Sequence, residues 1–320
     1  LMLTLLDRSS TRVEFLQQAV RQLDVVNNVE VVEGRSIDSH PGGRYPDGLY
    51  RHDEVAVTIP TLQDIGDRDL EHFHEHGWIA VERAFTEEQV GAALEGFLHL
   101  AAGKHPTYDG RRFESAVRDH INQLTEAEMV DSIRKLDGFV DVEPRLHAMA
   151  YDPGFLNILR QLAGSEHIKM FQDMALSKPP RIGREKPWHQ DCAYFNIPPD
   201  TQVVGTWIAL DDVDLENGCM HLLDGGHKEG PQNHFSRRDW QICDTDIEQL
   251  HTPAHPVVAV PLKPGGCLFF KGLLPHGSPK NNSSARRRAL QFHYYPASTP
   301  ETAEQSRLTV FGGEGKGVEC

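Results

Sequence analysis

Residues 168–178, with the sequence Ile-Lys-Met-Phe-Gln-Asp-Met-Ala-Leu-Ser-Lys, decide the fold class because their pattern has a period of two. Alternate positions of a β-strand point to one face, so Gln172, Met174 and Leu176 would share a face. Further strands are predicted at 186–195, 202–210, 256–262, 266–272 and 287–295. Glycine and proline separate these segments and no long helix intervenes, which favours an antiparallel barrel or sandwich over a doubly wound sheet.

The first half of the chain carries helix signals instead. Capping boxes at Thr11–Glu14 and Thr86–Gln89 each precede apolar residues at helical spacing. Another helix is predicted to begin after Asp152 and to end at Gly164. Residues 34–60 are rich in glycine, proline and charged residues and predict a loop.

These signals predict an N-terminal extension over residues 1–60, made of a helix and a loop, followed by a single domain over residues 61–320. The β core of that domain is predicted near residues 166–298, with the helices of the first half packed on it. The predicted fold class is therefore α+β or mainly β.

The composition excludes several classes of partner. A net charge of −15 disfavours binding to nucleic acid or to anionic lipid. No run of about 18 apolar residues occurs, so no membrane span is predicted. The five cysteines are scattered and form no Cys-x-x-Cys pair, which argues against a disulfide framework and favours a reducing cytoplasm. The sequence makes no prediction of oligomeric state.

The stretch most indicative of chemistry is Pro187-Trp188-His189-Gln190-Asp191. Because a strand is predicted here, the side chains of His189 and Asp191 would point to the same face. One imidazole and one carboxylate are two corners of the facial triad that binds Fe(II). The pair alone is a weak signal, since chance gives about one His-x-Asp in a chain of this composition.

A second histidine ligand is predicted where a strand over residues 265–270 leads into Leu274-Pro275-His276-Gly277-Ser278. A histidine at the end of a buried strand, beside a turn, can reach a metal while the neighbouring loop stays open. His276 is therefore the candidate for the third corner of the triad.

An arginine on the following strand predicts an anion-binding site. An unpaired buried charge is costly, and the guanidinium of Arg287 fits the distal carboxylate of 2-oxoglutarate in bidentate geometry. Strand parity places Arg286 and Arg288 on the opposite face. Arg288 remains an alternative, and so does a solvated basic edge.

Taken in order, these motifs resemble the phytanoyl-CoA dioxygenase family of 2-oxoglutarate oxygenases, which includes ectoine hydroxylase. The resemblance extends over about residues 70–298 and leaves residues 1–60 outside it. The matching stretches are Ser177-Lys178-Pro179-Pro180, Pro187-Trp188-His189-Gln190-Asp191, Thr206-Trp207-Ile208-Ala209-Leu210, Asn217-Gly218-Cys219-Met220, Gly225-Gly226-His227-Lys228, His276-Gly277-Ser278 and Arg287-Arg288-Ala289.

The resemblance implies a double-stranded β-helix, or jelly roll, as the β core. It also implies that His189, Asp191 and His276 bind Fe(II) and act as the catalytic residues. Halogenases of related fold replace the carboxylate ligand with glycine or alanine. The presence of Asp191 therefore favours hydroxylation, or another oxidation without halide, over halogenation.

The same resemblance implies a set of residues that bind the cosubstrate. Arg287 would pair with the C5 carboxylate of 2-oxoglutarate. Trp207 and Met174 match positions that line the cosubstrate pocket, and Lys135 is similar to a family lysine that reaches the cosubstrate. Gln172, on the same predicted strand face as Met174, is a further candidate contact.

The activity implied by the resemblance is hydroxylation of a small organic metabolite with Fe(II), 2-oxoglutarate and O2, releasing succinate and CO2. Two alternatives stay open. The same cofactors support desaturation, cyclisation or epimerisation, because substrate positioning decides the outcome. The fold would also suit a non-catalytic jelly-roll binding protein.

Other histidines are weaker candidates for metal binding. His72, His74 and His76 lie on a predicted helix, on which His74 faces away from the other two, so no shared site is expected. His221 and His227 are rival ligands, but His227 falls in a Gly-Gly-His-Lys turn with a structural role in the family.

Plain structural roles compete with several of the predicted binding roles. Trp207 and Met174 would also suit the core, and Lys135 would suit an exposed helix position. Residues 228–256 form a long insertion between core strands. Such an insertion fits either a lid that contacts substrate or a packed surface loop.

Overall fold

The computed structural model describes residues 48–313, apart from residues 182, 239–240 and 244–249. The helix predicted after Thr11–Glu14 and most of the loop predicted over 34–60 lie outside these residues. None of the helices in the described part of the chain combines the length and the apolar character needed to cross a membrane.

Six α-helices lie within the described residues, and local signals explain their ends. They are α1 (Asp67–His76), α2 (Glu87–Ala101), α3 (Glu126–Val130), α4 (Pro144–Ala150), α5 (Pro153–Ala163) and α6 (Glu304–Phe311). The capping box of α2 is confirmed, since Thr86 and Gln89 exchange side-chain-to-amide hydrogen bonds of 3.2 and 2.9 Å. Asp152 caps α5, and Gly164, with a φ of 62°, ends it as predicted.

The strands of the described residues form two facing sheets and one hairpin. They are β1 (Glu54–Val55), β2 (Ile59–Thr61), β3 (Trp78–Arg83), β4 (Arg111–Phe113), β5 (Ile133–Asp137), β6 (Ile168–Lys178), β7 (Lys186–His189), β8 (Val204–Ala209), β9 (Met220–Leu223), β10 (Phe235–Arg238), β11 (Gln241–Cys243), β12 (Val257–Val260), β13 (Cys267–Lys271), β14 (His276–Ser278) and β15 (Arg287–Pro296). The larger sheet has the order β2-β3-β13-β8-β15-β6-β5-β4, and the smaller has the order β1-β12-β9-β14-β7. The predicted jelly-roll core with flanking helices is confirmed.

Most of the predicted strands are present, with one informative exception. The predictions for β6, β8, β12, β13 and β15 are confirmed. The strand predicted over residues 186–195 is too long, because β7 ends at His189 and Asp191–Tyr194 form a 3₁₀ helix. His189 and Asp191 therefore do not lie on one strand.

The pairing of β7 with β14 ends at His189. His276 pairs with His189, so Pro275 lies next in the register, opposite Gln190. The carbonyl of Pro275 accepts a hydrogen bond of 3.0 Å from the amide of Leu223 on β9, so its backbone polar groups face away from β7. The amide of Gln190 instead donates a hydrogen bond of 2.9 Å to Nε2 of His234.

The larger sheet also takes strands from residues ahead of the predicted β core. Strands β4 and β5 extend its edge beyond β6, and Lys135 pairs with Leu176 there. Lys135 thus lies on a strand, and its alternative interpretation as an exposed helix residue is wrong. Its side chain stands beside β6, which carries Met174.

Alternate side chains of the central strands point either to the helices outside the larger sheet or to the space between the two sheets. On β8, Ile208 packs with helix residues such as Phe97 and Phe155 on the outer face of the larger sheet. The next residue back, Trp207, packs between the two sheets with Met220 of β9. Neighbouring residues on a strand point to opposite faces, so β8 both anchors the helices and lines the interior.

Residues 49–56, here termed the N-terminal strap, pack Leu49 and Tyr50 against the smaller sheet and then join its edge as β1. The indole of Trp188 donates a hydrogen bond of 2.9 Å to the carbonyl of Leu49 and stacks on Tyr50, with 6.3 Å between ring centroids. Strand β1 runs parallel to β12, and the amide of Asp53 donates to the carbonyl of Val257 at 2.8 Å. The strap therefore packs against β7 on the side that carries Trp188.

Trp188→Ala is expected to lower the free energy of unfolding by about 3–5 kcal/mol, because loss of a buried aromatic side chain leaves a cavity. Trp188→Phe keeps a ring and loses the indole N–H, so a loss of about 1 kcal/mol is expected. Urea denaturation of both variants measures the two contributions. A Trp188→Ala variant as stable as the wild type would contradict the contribution of this packed indole to stability.

Candidate metal and cosubstrate site

Three side chains with metal-binding atoms converge inside the roll. His189 ends β7, His276 begins the adjacent β14 directly opposite it, and Asp191 begins the 3₁₀ helix that follows β7. Nε2 of His189 lies 3.4 Å from Oδ1 of Asp191, and Nε2 of His276 lies 3.6 Å from Oδ2. One ligand atom from each residue lies within 4.8 Å of the others. The predicted triad is thus brought together, although Asp191 reaches it from a turn.

Backbone carbonyls orient both imidazoles toward the centre of the triad. Nδ1 of His189 lies 2.7 Å from the carbonyl of Pro187, and Nδ1 of His276 lies 2.9 Å from the carbonyl of Leu274. A ring nitrogen facing a carbonyl must carry the hydrogen and donate it. The lone pair of each ring is therefore on Nε2, facing Asp191, which is how proteins present histidine to a metal.

Burial sets the charge of the triad. Burial lowers the pKa of His189 to about 3 and also lowers the pKa of His276, so both imidazoles are neutral at neutral pH. Burial opposes ionisation of Asp191, but the adjacent His276 and His293 hold its pKa well below its usual range. Two neutral imidazoles and one carboxylate are the ligand state that Fe(II) requires.

A cavity of about 260 Å³ extends from the triad between the sheets. Tyr194, Gln291 and Ser278 line it near the ligands, and residues of β4, β5, β6, β8, β9, β15 and the segment before β7 line the remainder. Its full lining consists of Arg112, Phe113, Glu114, Arg134, Lys135, Met174, Leu176, Ser177, Lys178, Arg184, Glu185, Lys186, His189, Asp191, Tyr194, Trp207, Met220, His276, Ser278, Arg287 and Gln291.

Arg287 places a positive charge in this cavity. The side chain is 2% exposed, and its guanidinium carbon lies 5.1 Å from the ring centre of Trp207. Burial lowers the pKa of Arg287 to about 10, so it remains charged at neutral pH. Its Nε and Nη1 have no hydrogen-bond partner within the described residues. Since an unpaired buried cation is costly, this site suits a carboxylate such as the C5 group of 2-oxoglutarate.

The neighbouring arginines are engaged elsewhere, in agreement with strand parity. Arg288 forms a bidentate pair with Asp211, with distances of 2.8 and 2.6 Å. Arg286 pairs with Asp131 at 2.6 Å. Neither lines the cavity. Arg287 is therefore the arginine of this run that faces the interior.

Three of the other four predicted cosubstrate contacts line the same cavity, namely Trp207, Met174 and Lys135. Nζ of Lys135 also lies 3.3 Å from a carboxylate oxygen of Asp137. The structure does not bring Gln172 to the cavity. It lies further along β6, where its backbone pairs with His293.

Lys178 is a buried cavity residue outside the set of site residues predicted from the sequence. Its amine donates hydrogen bonds to the carbonyls of Ser278, at 3.1 Å, and of Pro279. Burial lowers the pKa of Lys178 well below its ordinary value. The signal was available, because Lys178 continues the strand face of Met174 and Leu176. It ties β6 to the segment that follows His276.

The rival histidines are separate from the triad. His72 and His76 stack on α1 with 4.1 Å between ring centroids, while Nε2 of His227 contacts the carbonyl of His74 at 3.2 Å. Nδ1 of His221 lies 3.2 Å from the carbonyl of Cys219. Within the described residues, the triad is the group of ligand atoms close enough to share one metal ion.

The start of the 228–256 insertion is hydrogen-bonded to Gln190, which lies between the ligands His189 and Asp191. The side-chain amide of Gln190 donates to the carbonyls of Gly230 and Leu273, at 2.9 and 2.7 Å. Its oxygen accepts from the amide of Gln232 at 2.8 Å. Further on, β10 and β11 form a hairpin, and parts of the insertion lie outside the described residues. Its role as a lid stays a prediction.

Comparison with known proteins shows which family has this sequence and fold. Residues 73–289 match the family described as phytanoyl-CoA dioxygenase (PhyH). The chain is 30% identical over 286 residues to the peroxisomal phytanoyl-CoA dioxygenase of Bos taurus, covering 81% of this chain and 80% of that protein. A probable phytanoyl-CoA dioxygenase of Caenorhabditis elegans is 28% identical over 238 residues, with 69% and 72% covered.

Solved structures show the same fold. EctD from S. alaskensis aligns with a TM-score of 0.62 and 21% identity, covering 82% of this chain and 85% of that chain. The 2-oxoglutarate-dependent carbocyclase SnoK from nogalamycin biosynthesis aligns with a TM-score of 0.59 and 22% identity, covering 79% and 95%.

The class of protein follows from the triad, the fold and these likenesses together: it is a non-haem iron dioxygenase that depends on 2-oxoglutarate and O2. The alternative of a non-catalytic binding protein is set aside. More narrowly, the chain belongs to the phytanoyl-CoA dioxygenase family.

Proposed function

We propose that this protein hydroxylates a small organic metabolite and releases succinate and CO2. The observation that carries the proposal is the carboxylate of Asp191 beside two inward-facing imidazoles. Halogenases of related fold lack a carboxylate at this position and use the open site for a halide. With Asp191 present, the ligand set argues against halogenation and is compatible with transfer of oxygen to the substrate.

His189, Asp191 and His276 would hold Fe(II) through one face, leaving its other positions for small molecules. When bound, iron and 2-oxoglutarate supply the oxidising chemistry: O2 donates one oxygen atom to succinate and one to the substrate, with loss of CO2. The protein supplies the fixed ligand geometry and a buried site that excludes water.

Arg287 would hold the C5 carboxylate of 2-oxoglutarate and thereby orient its keto-acid end toward the triad. The ring of Trp207 limits where the guanidinium can lie, and Met174 provides an apolar wall. Lys135 would supply a further positive charge from β5. These roles explain why the buried guanidinium of Arg287 and the apolar side chain of Met174 line the same cavity.

The cavity limits the substrate. A volume of about 260 Å³ has to hold the cosubstrate and the reacting end of the substrate. Small-molecule sites commonly measure about 300–1,000 Å³, so the enclosed part of the substrate has to be small. Its wall is also polar, with more basic than acidic side chains among Arg112, Glu114, Arg134, Arg184, Glu185 and Lys186.

The second candidate function is desaturation, cyclisation or epimerisation with the same cofactors. Structures of the carbocyclase SnoK and the epimerase SnoN share this fold, with TM-scores of 0.59 and 0.57. The protein scaffold is therefore compatible with several outcomes, and substrate position selects among them. Product mass separates them, since hydroxylation adds one oxygen atom, desaturation or cyclisation removes two hydrogens, and epimerisation leaves the mass unchanged.

Chelation is expected to abolish substrate-dependent succinate release, because the triad itself has no redox-active group. Activity should return with Fe(II) and ascorbate but not with Zn(II), which fits similar ligands and has no accessible redox chemistry. A substrate screen that reports 2-oxoglutarate consumption, followed by mass spectrometry, provides the measurement. Equal turnover with Zn(II) would contradict the proposal.

We also propose a cytoplasmic location. Cys192, Cys219 and Cys267 are buried free thiols, which suits a reducing compartment. The relative from Bos taurus is named as peroxisomal, and an organelle is the competing location. Fractionation of cells expressing the protein distinguishes the two.

A further inference from the structure

A third histidine, His293, contacts the triad from the opposite sheet. It lies on β15 of the larger sheet, whereas His189 and His276 lie on strands of the smaller sheet. Nε2 of His293 lies 2.8 Å from Oδ2 of Asp191, and both side chains are fully buried. The contact therefore joins the two sheets of the roll at the carboxylate.

The surroundings of His293 fix which nitrogen donates. The rings of Phe195, Phe171 and Phe270 surround it, with centroid distances of 5.1, 6.0 and 6.4 Å. Within the described residues, Nδ1 has no hydrogen-bond partner. A hydrogen on Nδ1 would be an unsatisfied buried donor and would leave a lone pair facing the carboxylate. Nε2 therefore carries the hydrogen and donates it to Asp191.

Asp191 requires such support because the backbone around it is not in a ladder. β7 ends at His189, so no strand pairing restrains the aspartate. His293 engages Oδ2, and the amide of Gln291 lies 3.4 Å from the same oxygen as a weaker contact. Oδ1 faces Nε2 of His189 at 3.4 Å, and Oδ2 also lies 3.6 Å from Nε2 of His276.

We infer that His293 is a positioning residue that holds the carboxylate of Asp191 in the orientation needed to bind the metal ion. The inference rests on the iron site of the proposed function and assigns His293 no contact with the metal. Hydrogen bonds from outer residues orient metal ligands, and their loss typically weakens metal affinity by about 10- to 100-fold.

Three substitutions at this position test the inference. The amide of His293→Gln extends as far from the backbone as Nε2, whereas that of His293→Asn is one bond shorter, and His293→Phe has no donor. We expect Asn and Phe to weaken Co(II) binding by about 10- to 100-fold and to change the visible spectrum of bound Co(II). Gln should retain near wild-type affinity and spectrum. The titrations contain no 2-oxoglutarate and need no turnover.

His221→Phe is the matched control, because His221 is an equally buried histidine whose ring contacts none of the triad. Its Co(II) affinity should equal that of the wild type. If His293→Phe fails to fold, the Gln and Asn variants, which differ by one methylene, still decide the question. Equal affinity and unchanged spectra for Asn and Gln would overturn the inference. Absence of Co(II) binding by the wild type would instead reject the proposed iron site.

Discussion

Asp191→Ala is expected to release no substrate-dependent succinate and to bind Fe(II) more than about 100-fold more weakly, since even residues that only support ligands contribute about 10- to 100-fold. The substitution removes the only carboxylate of the triad and leaves two neutral imidazoles. It also leaves the donor of His293 buried without its acceptor. Anaerobic Fe(II) titration and succinate quantification measure the two effects.

Asp224→Asn is the control for this loss. Asp224 accepts hydrogen bonds of 2.7 Å from His76 and Trp78, in the other histidine-rich part of the described chain. Its amide variant should fold and keep full Fe(II) affinity and succinate release. Full turnover by Asp191→Ala, or loss of turnover in Asp224→Asn alone, would reject the assignment of the iron site to the triad.

The triad was predictable because its residues belong to an ordered set of motifs whose chemistry is specific. The geometric reason given for His189 and Asp191, a shared strand face, was wrong. Their convergence comes instead from the end of the β7–β14 pairing at His189 and from the 3₁₀ helix that begins at Asp191. Alternation inside one segment contains no information about where a distant partner strand will end.

The parts of the site that the sequence did not reveal depend on contacts between distant segments. His293 has the same strand parity as Arg287, but only the facing of the two sheets places it against Asp191. Lys178 likewise has a readable parity, and its acceptors are carbonyls on the segment after His276. Lys135 belongs to a short strand whose pattern is too brief to separate from a helix.

Arg287→Gln is expected to weaken 2-oxoglutarate binding by about 100-fold, the equivalent of about 3 kcal/mol for a charged pair buried with one partner removed. Because the guanidinium contacts a part of the cosubstrate remote from the reaction, turnover at saturating 2-oxoglutarate should fall far less. Arg287→Lys keeps the charge without the planar fork, so an intermediate loss is expected. Anaerobic titration of the Fe(II) protein with 2-oxoglutarate, followed by its charge-transfer absorption, gives the dissociation constants.

Although Arg287→Gln should weaken 2-oxoglutarate binding, it should not lower the stability of the protein without the cosubstrate. Without cosubstrate, Arg287 is a buried cation whose Nε and Nη1 have no partner within the described residues, so the folded state carries an uncompensated desolvation cost. Arg287→Gln should therefore leave the unfolding free energy unchanged or raise it, while abolishing the stabilisation that 2-oxoglutarate gives the wild type. Arg288→Gln breaks the bidentate pair with Asp211 and should lower stability without changing cosubstrate affinity. If Arg288→Gln weakened 2-oxoglutarate binding and Arg287→Gln did not, the anion-binding residue would be Arg288 and not Arg287.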